Sequence, residues 1–367
     1  MQRSKRPTGG QIVRLSHRRT ALPPGSADVI LPHFERPNNT FPPRGAMSSK
    51  PDFLDPRITE HRNPRTTRID LATSGEIVDL MHAEDRLVAD AVYRERDHIA
   101  EAIDLATRAI GGGGRLLYVG AGTSGRLGVL DATECPPTFG TPPEMVVGVI
   151  AGGPAALMGS QEGAEDDVAA GTAAMDDHSV GPKDLVLGIA ASGTTPYVCA
   201  ALTRAHDVGA ATGLLTCAAP PEDLAELCDF VIAVQAGPEA LTGSTRLKAG
   251  TATKLVLNTI STGAMIRLGR TFGNLMVDMM ALSEKLVDRG ERVVMEATGV
   301  ARGEARRVIE EAGGSVKLAI VMALRDVSVA EAGRLLVEAG GLVRKVVGDP
   351  PPVVGREGRE ERGEGLL

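Results

Sequence analysis

Arg115–Arg126 reads RLLYVGAGTSGR, an unbroken apolar run followed at once by glycines interleaved with hydroxyls. An apolar run without polar alternation fits a strand buried on both faces, and the glycine-rich turn after it fits the start of a helix. The unit recurs downstream. Glu144–Ala151 (EMVVGVIA) and Asp184–Ala191 (DLVLGIAA) read as further strands, with helices expected from about Ala155 and from about Pro196. Ala211–Cys217 and Asp229–Val234 complete the set of five. Apolar strands alternating with helices predict an α/β fold built on a parallel sheet covered on both faces.

Upstream of this run, Thr73 and Glu76 form a T-x-x-E capping signature. Ile77, Leu80, Met81, Leu87, Val88 and Ala91 then follow helical spacing. A second helix is expected over His98–Ile110, ended by four glycines, Gly111–Gly114. Downstream of the strands, a long helix is expected over about Arg246–Leu268. Beyond Gly299 the pattern shortens to helices near Gly303–Glu311, Val316–Leu324 and Val329–Glu338, a small helical subdomain. Residues 1–50 are rich in Pro, Arg, Ser and Asn and lack periodicity. Such a segment cannot offset its ordering entropy and reads as a disordered extension. A basic binding tail and a translation start at Met47 stand as alternatives. Asp349–Leu367 is rich in Pro, Gly and charge and reads as a disordered tail. The expected organisation is an extension over 1–50, a catalytic domain over 51–298, a helical subdomain over 299–347 and a tail over 348–367.

The 367 residues are 43% hydrophobic but only 2% aromatic, with no Trp, so the core must rest on aliphatic side chains and Met. So few rings also leave no stacking platform for single-stranded nucleic acid. A net charge of -7 supplies no general attraction for nucleic acid or acidic membranes. Cys135, Cys199, Cys217 and Cys228 contain no CxxC pair and lie mostly in apolar runs, as free thiols in a reducing compartment would. No uncharged apolar run reaches transmembrane length, and the first residues lack a secretory apolar segment. These features read as a soluble cytoplasmic protein.

In a parallel α/β sheet, ligands bind beyond the carboxyl ends of the strands. Three such loops carry small hydroxylated residues among glycines: Gly120–Arg126, Ser192–Thr195 and Thr242–Thr245, the last expected to open the long helix. Glycine admits close backbone approach, Ser and Thr supply hydroxyl donors, and a helix start supplies free N–H groups. Together they predict a phosphate cradle formed by Gly122, Thr123, Ser124, Ser192, Gly193 and Thr195. The first loop matches G-x-G-x-x-G, but no acidic residue ends a second strand some 20 residues on, where a dinucleotide ribose would need it. The G-K-[ST] of a nucleotide P-loop is also absent.

Two carboxylates stand out as candidate acid–base groups. Glu134 lies in DATECPPTFG, where Pro136 and Pro137 are expected to end the helix that follows the first loop. Glu165 lies in Gly163-Ala164-Glu165-Asp166, expected on the helix after the second strand. Either could equally be a solvated surface carboxylate, and spacing alone does not bring them together.

These segments closely resemble one family. Gly120–Arg126 followed by Glu134–Gly140 resembles the GAGTSGR and ECPPTFGT signature of the N-acetylmuramic acid 6-phosphate etherases. Thr59–Pro64 resembles their T-E-x-R-N-P segment, and Arg246–Ala252 their SRMKAGTA. Gly273–Asp278 adds a further match, so the likeness runs from about Leu54 to about Val347. The resemblance implies a sugar isomerase (SIS) fold, a homodimer and a phosphosugar substrate. It implies cleavage of the C3 lactyl ether to give N-acetylglucosamine 6-phosphate and D-lactate. It places the family's two catalytic glutamates on Glu134 and Glu165, and its phosphate contacts on Thr123, Ser124 and Ser192. One departure concerns Ser192-Gly193-Thr194-Thr195-Pro196, where the family usually reads S-G-R-T-P, so Thr194 stands in place of an arginine. Thr133 and Thr245 replace the more usual Ser and keep the hydroxyl.

The implied reaction needs no metal and no nicotinamide, since nothing is oxidised overall, and the seven histidines include no ligand-spaced pair. Two other readings share the phosphate loops. A phosphosugar isomerase would use them with one carboxylate and release no lactate. A binding-only regulator would resemble the glucokinase regulatory protein, which carries two such domains where this chain has room for one.

Overall fold

A computed structural model of the chain describes Asp55, residues 57–279 and residues 284–352. The expected N-terminal extension and residues 353–367 of the expected tail lie outside the described residues. The body opens with α1 (Ser74–Arg94) and α2 (Arg96–Gly111). The capping signature forms as read: the Thr73 hydroxyl accepts from the Glu76 N–H, and the Glu76 carboxylate accepts from the Thr73 N–H at 2.7 Å.

Five strands follow, each inside the span expected from its apolar run: β1 (Leu116–Gly120), β2 (Val146–Ile150), β3 (Leu185–Ile189), β4 (Ala211–Thr216) and β5 (Phe230–Ala233). They form one parallel sheet in the order β2-β1-β3-β4-β5. Between them lie α3 (Gly122–Phe139), α4 (Ala155–Met158), α5 (Val168–Asp177), α6 (Pro196–Asp207) and α7 (Glu222–Leu227), and α8 (Lys248–Arg267) comes after. The strands are mostly apolar because both faces are covered, and the buried Thr212 and Thr216 of β4 have their hydroxyls hydrogen-bonded. Leu116, Tyr118, Leu185 and Leu187 pack with Ala102 and Ala106 of α2 and Val256, Leu257 and Ile260 of α8. Leu117, Val119 and Val186 pack on the opposite face with Met175 of α5 and Val198, Ala201 and Leu202 of α6. Each fully buried aliphatic side chain contributes about 1.5–3 kcal/mol to the core.

A second core joins β6 (Thr271–Phe272) and β7 (Leu275–Met276) to α9 (Glu284–Thr298), α10 (Arg302–Glu311), α11 (Val316–Arg325), α12 (Val329–Glu338) and α13 (Val343–Val347). Phe272, Val294, Ala305, Ile320, Ala332 and Val343 meet there. This packing begins upstream of Gly299, where the sequence pattern changes. Helix α9 is heavily charged but amphipathic, and its apolar stripe of Val293, Val294 and Ala297 packs against α10 and α11. Lys317 of α11 ties this unit to the end of α8 by donating to the Gly269 carbonyl and the Asp278 carboxylate.

Two expected elements differ. Helix α3 continues through Pro136 and Pro137 to Phe139 and stops at Gly140, whose φ is 61°. Proline's fixed φ is itself helical, and so near the end few backbone bonds are at stake. A left-handed glycine then terminates the helix. After β2, a helix of only four residues gives way at Gly159 to a loop, and α5 begins as late as Val168, capped by Asp167. Glu165 therefore sits in a 3-10 turn, Ala164–Asp166, and not on a helix.

Candidate active site

The chain leaves β1 for β2 on one side and returns to β3 on the other, so β1 and β3 are neighbours whose following loops diverge. Such a switch point opens a crevice at the carboxyl ends of the strands. Gly120 pairs with Ile189 across it, which sets the loop of Gly122, Thr123 and Ser124 beside that of Ser192, Gly193 and Thr195. The first intrahelical bond of α3 runs from the Gly125 N–H to the Ala121 carbonyl, leaving the amides of Gly122, Thr123 and Ser124 for a ligand. Among the described residues, the Thr123 and Ser124 hydroxyls have no hydrogen-bond partner. In the second loop, Ser192 Oγ accepts from both the N–H and the hydroxyl of Thr194, at 3.3 and 3.2 Å, and keeps its own proton to donate. Thr195 caps α6 by position but its side chain makes no capping bond.

The glycine spacing of the first loop has a packing cause that owes nothing to a dinucleotide. A Cβ on Gly120 would lie 2.7 Å from the Gly125 N, and one on Gly125 would lie 2.6 Å from the Gly120 carbonyl oxygen. Strand and helix touch backbone to backbone, which brings the α3 amides close to the strand end.

The third loop does not open a helix. Residues 242–247 form a turn, and α8 starts at Lys248 because buried Glu239 accepts from the N–H groups of Lys248 and Ala249, each at 2.9 Å. Burial pushes the Glu239 carboxyl above the ordinary carboxylate range, against the pull of those two amides. The Lys248 side chain, 1% exposed, turns inward to Glu84 at 2.8 Å and to the Ala236 carbonyl. Arg65 grips the same Glu84 with a second charge-assisted fork. The Arg65 hydrogen bonds, with Lys248 adding to them, hold Glu84 down at about 2 against its burial. This buried cluster links the 59–65 segment, α1 and the start of α8. It also fixes α8 against the first loop, since a Cβ on Gly250 would stand 3.7 Å from the Thr123 Cγ2. Nothing in the local spacing announces it, because its members are up to 183 residues apart, from Arg65 to Lys248.

Glu165 lines a cavity of about 310 Å³ beside the first loop, on its β2 side, with Gly122, Arg126, Ala151 and the 160–164 loop around it. That loop folds back over the end of β2 where Gly152 lacks a side chain: a Cβ there would meet Gln161 at 2.9 Å. Glu134 lies elsewhere. It is exposed, twelve residues beyond Gly122 along α3, about 18 Å at 1.5 Å per residue. It lines a separate hollow of about 190 Å³ with Asp131, Lys254 and Asn258. One turn below it, buried Asp131 accepts from the Tyr118 hydroxyl, Asn258 Nδ2 and Ser261 Oγ, locking α3 to β1 and α8. Within one chain the two glutamates are not brought together. Arg126, part of the quoted motif but given no role by it, is the one cation lining the cavity that Glu165 also lines, and only the folded loop reveals that.

The four cysteines are free; Cys135 and Cys217 are buried and Cys199 and Cys228 half-buried. Burial, with Asp131 beside it, raises the Cys135 thiol to about 12, and burial with Glu239 nearby does the same for Cys217. Neither is a nucleophile at neutral pH. Among the described residues no helix is long and apolar enough to cross a membrane.

The sheet order and the hydroxyl-lined crevice define a doubly wound α/β domain with a ligand site at its switch point, and a profile match makes it one of the SIS class. The family profile described as the glucokinase regulatory protein N-terminal SIS domain matches residues 98–206. An N-acetylmuramic acid 6-phosphate etherase of Pectobacterium atrosepticum is 52% identical over 267 residues, 73% of this chain and 88% of the relative. A Yersinia pestis protein of the same name is 51% identical over 268 residues, covering 73% and 90%. The chain belongs to the N-acetylmuramic acid 6-phosphate etherase family. More distant solved structures include the Vibrio vulnificus NanR protein complexed with ManNAc-6P, 17% identical with a TM-score of 0.37 over 54% of this chain and 66% of that one. Phosphoheptose isomerase GmhA of Neisseria gonorrhoeae is 18% identical with a TM-score of 0.36, covering 52% and 98%.

Proposed function

We propose that the chain cleaves the C3 lactyl ether of N-acetylmuramic acid 6-phosphate, giving N-acetylglucosamine 6-phosphate and D-lactate. The observation that carries this is identity above 50% with relatives of that name over about nine-tenths of their length. In the open-chain aldehyde the C2 proton is α to a carbonyl, and Glu165 takes it as base. The C3–O bond breaks as Glu134 protonates the departing lactyl oxygen. Water then adds across the C2–C3 double bond, its hydroxyl to C3 and a proton to C2. The chemistry requires one carboxyl protonated while the other is ionised. The phosphate is a remote handle whose binding energy holds the sugar in place. Release of D-lactate from N-acetylmuramic acid 6-phosphate by the pure protein tests the assignment. Aldose–ketose interconversion of glucosamine 6-phosphate or of fructose 6-phosphate, each with its own isomer and without lactate, would make it an isomerase, and binding without turnover a regulator. A cytoplasmic site of action fits the four free thiols.

The free α3 amides and the Thr123, Ser124 and Ser192 hydroxyls at the crevice support phosphate recognition by hydroxyls and amides. Ser124→Ala and Ser192→Ala are each expected to weaken substrate binding by about 1.5–3 kcal/mol, the worth of a hydrogen bond to a charged group. Unphosphorylated N-acetylmuramic acid should be a very poor substrate, and equal turnover of the two sugars would refute this.

The separation of Glu134 from Glu165 supports a homodimer in which each site takes Glu165 from one copy and Glu134 from the other. Light scattering should then give twice the 38.3 kDa chain mass. Glu134→Gln and Glu165→Gln proteins, each inactive alone, should regain activity when unfolded and refolded together. Random pairing in a two-fold dimer leaves about one site in four intact. An active monomer, or a mixture as dead as its components, would mean that the site is built within one chain.

A further inference from the structure

The proposed substrate carries two anions, a phosphate on C6 and the carboxylate of the lactyl group on C3, while the sugar product keeps only the first. The loops at the β1/β3 crevice offer amides and hydroxyls for one anion. The cavity next to them has a second, different polar feature. Its lining holds two carboxylates, Glu162 and Glu165, and one cation, Arg126. Arg126 sits one turn into α3, four residues after Gly122. Its Nε donates to the Leu157 carbonyl and its Nη2 to the Gly159 carbonyl, both at 3.3 Å. Those acceptors are neutral, and no carboxylate of the described residues lies within ion-pair distance of the guanidinium. Nη1 keeps both of its N–H groups for a ligand. The head is thus held in place from the loop side with its charge unspent.

We infer that Arg126 binds the lactyl carboxylate of the substrate and is the specificity-determining residue for the lactyl ether, an inference that rests on the etherase reading. Two physical points favour it. A carboxylate-bearing group entering a cavity that already holds Glu162 and Glu165 is repelled unless a cation sits in the same space, and Arg126 is the cation there. A planar guanidinium also matches a carboxylate geometrically, whereas the phosphate already has the α3 amides and the Ser and Thr hydroxyls. Anchoring the carboxylate fixes the C3–O bond relative to Glu165 at the cavity wall. The guanidinium also stabilises the leaving lactate, which departs still bound to it.

The experiment compares two ligands on each protein: kcat/KM for N-acetylmuramic acid 6-phosphate, and the inhibition constant of N-acetylglucosamine 6-phosphate, which has the phosphate but no carboxylate. Arg126→Gln is expected to lower kcat/KM on the order of 10- to 100-fold, as loss of a charge-assisted bond predicts. Its inhibition constant for the product should stay within about twofold of wild type, the margin of a group that the product does not touch. That retained affinity also reports that the site is still folded. Arg126→Lys keeps the charge without the fork and should fall between the two. Equal losses for both ligands would assign Arg126 to the phosphate or to the scaffold and overturn the inference, as would an unchanged kcat/KM. A wild-type protein that releases no lactate overturns the etherase reading, and this inference with it. A wild type that turns over, with a variant that fails the comparison, overturns this inference alone.

Discussion

Incubated in D₂O, Glu134→Gln protein is expected to exchange the C2 hydrogen of N-acetylmuramic acid 6-phosphate while releasing no D-lactate, and Glu165→Gln protein to lose both reactions. The asymmetry follows from the roles. Without an acid, the lactyl alkoxide is too poor a leaving group, but the base can still remove and return the C2 proton, bringing deuterium in. Without the base, neither exchange nor elimination begins. Each loss should reach about 10²–10⁴-fold, the usual contribution of a positioned general acid or base. Glutamine keeps the size of glutamate and part of its hydrogen bonding, so a general collapse of the site would not produce this asymmetry. Nuclear magnetic resonance of the C2 position and a coupled lactate assay read the two reactions on one sample. Exchange surviving only in Glu165→Gln would reverse the roles. Normal lactate release in both would remove the glutamates from the mechanism.

The second large effect concerns stability. Glu84→Gln is expected to destabilise the fold by about 3–5 kcal/mol, because it removes the one carboxylate in direct ion-pair contact with the buried Lys248 ammonium and leaves that ammonium only the Ala236 carbonyl and the field of nearby Glu239. Glu84 and Lys248 are each 1% exposed, so water cannot take over from the lost partner. Changing both, Glu84→Gln with Lys248→Met, should recover part of the loss, since a buried pair replaced by uncharged groups is far cheaper than a broken one. The pH dependence has a definite sign. Arg65 and Lys248 hold the Glu84 carboxyl at about 2, below its ordinary value of 4.5. A depressed carboxyl contributes stability that is complete above the unfolded value and lost as pH falls through the folded one. The gap between wild type and Glu84→Gln should therefore be full at neutral pH and shrink between about 4.5 and about 2. Denaturant unfolding at a series of pH values measures it. A cost below about 1 kcal/mol, the scale of an exposed pair, would mean that water reaches the cluster.

Much of the fold was legible because burial leaves a local mark. A strand covered on both faces has few polar positions, and RLLYVG, EMVVGVIA and DLVLGIAA carry that mark directly. Thr73 and Glu76 are close enough in sequence to bond each other whatever the rest of the chain does. Helix α9 is absent from the sequence reading although Leu286, Gly290, Val293, Val294 and Ala297 recur at helical spacing, because the charged residues between them break up the apolar run. The end of α3 was misread because proline disfavours a helix interior locally, while the packed core keeps the helix going to Gly140.

The sequence by itself determined the α/β class, the loops after the first and third strands, and the two glutamates as candidates, because each rests on residues adjacent in the chain. Only the tertiary structure decided how those pieces stand to one another. It set the first and second loops side by side by pairing β1 with β3. It started α8 at Lys248 through Glu239, and held Lys248 and Arg65 on Glu84 across most of the domain. It turned Arg126 and Glu165 into the same cavity and left Glu134 about two turns beyond Arg126 on α3, in a separate hollow. Distances between residues remote in sequence depend on the sum of all the packing between them, and no short stretch of chain encodes that sum.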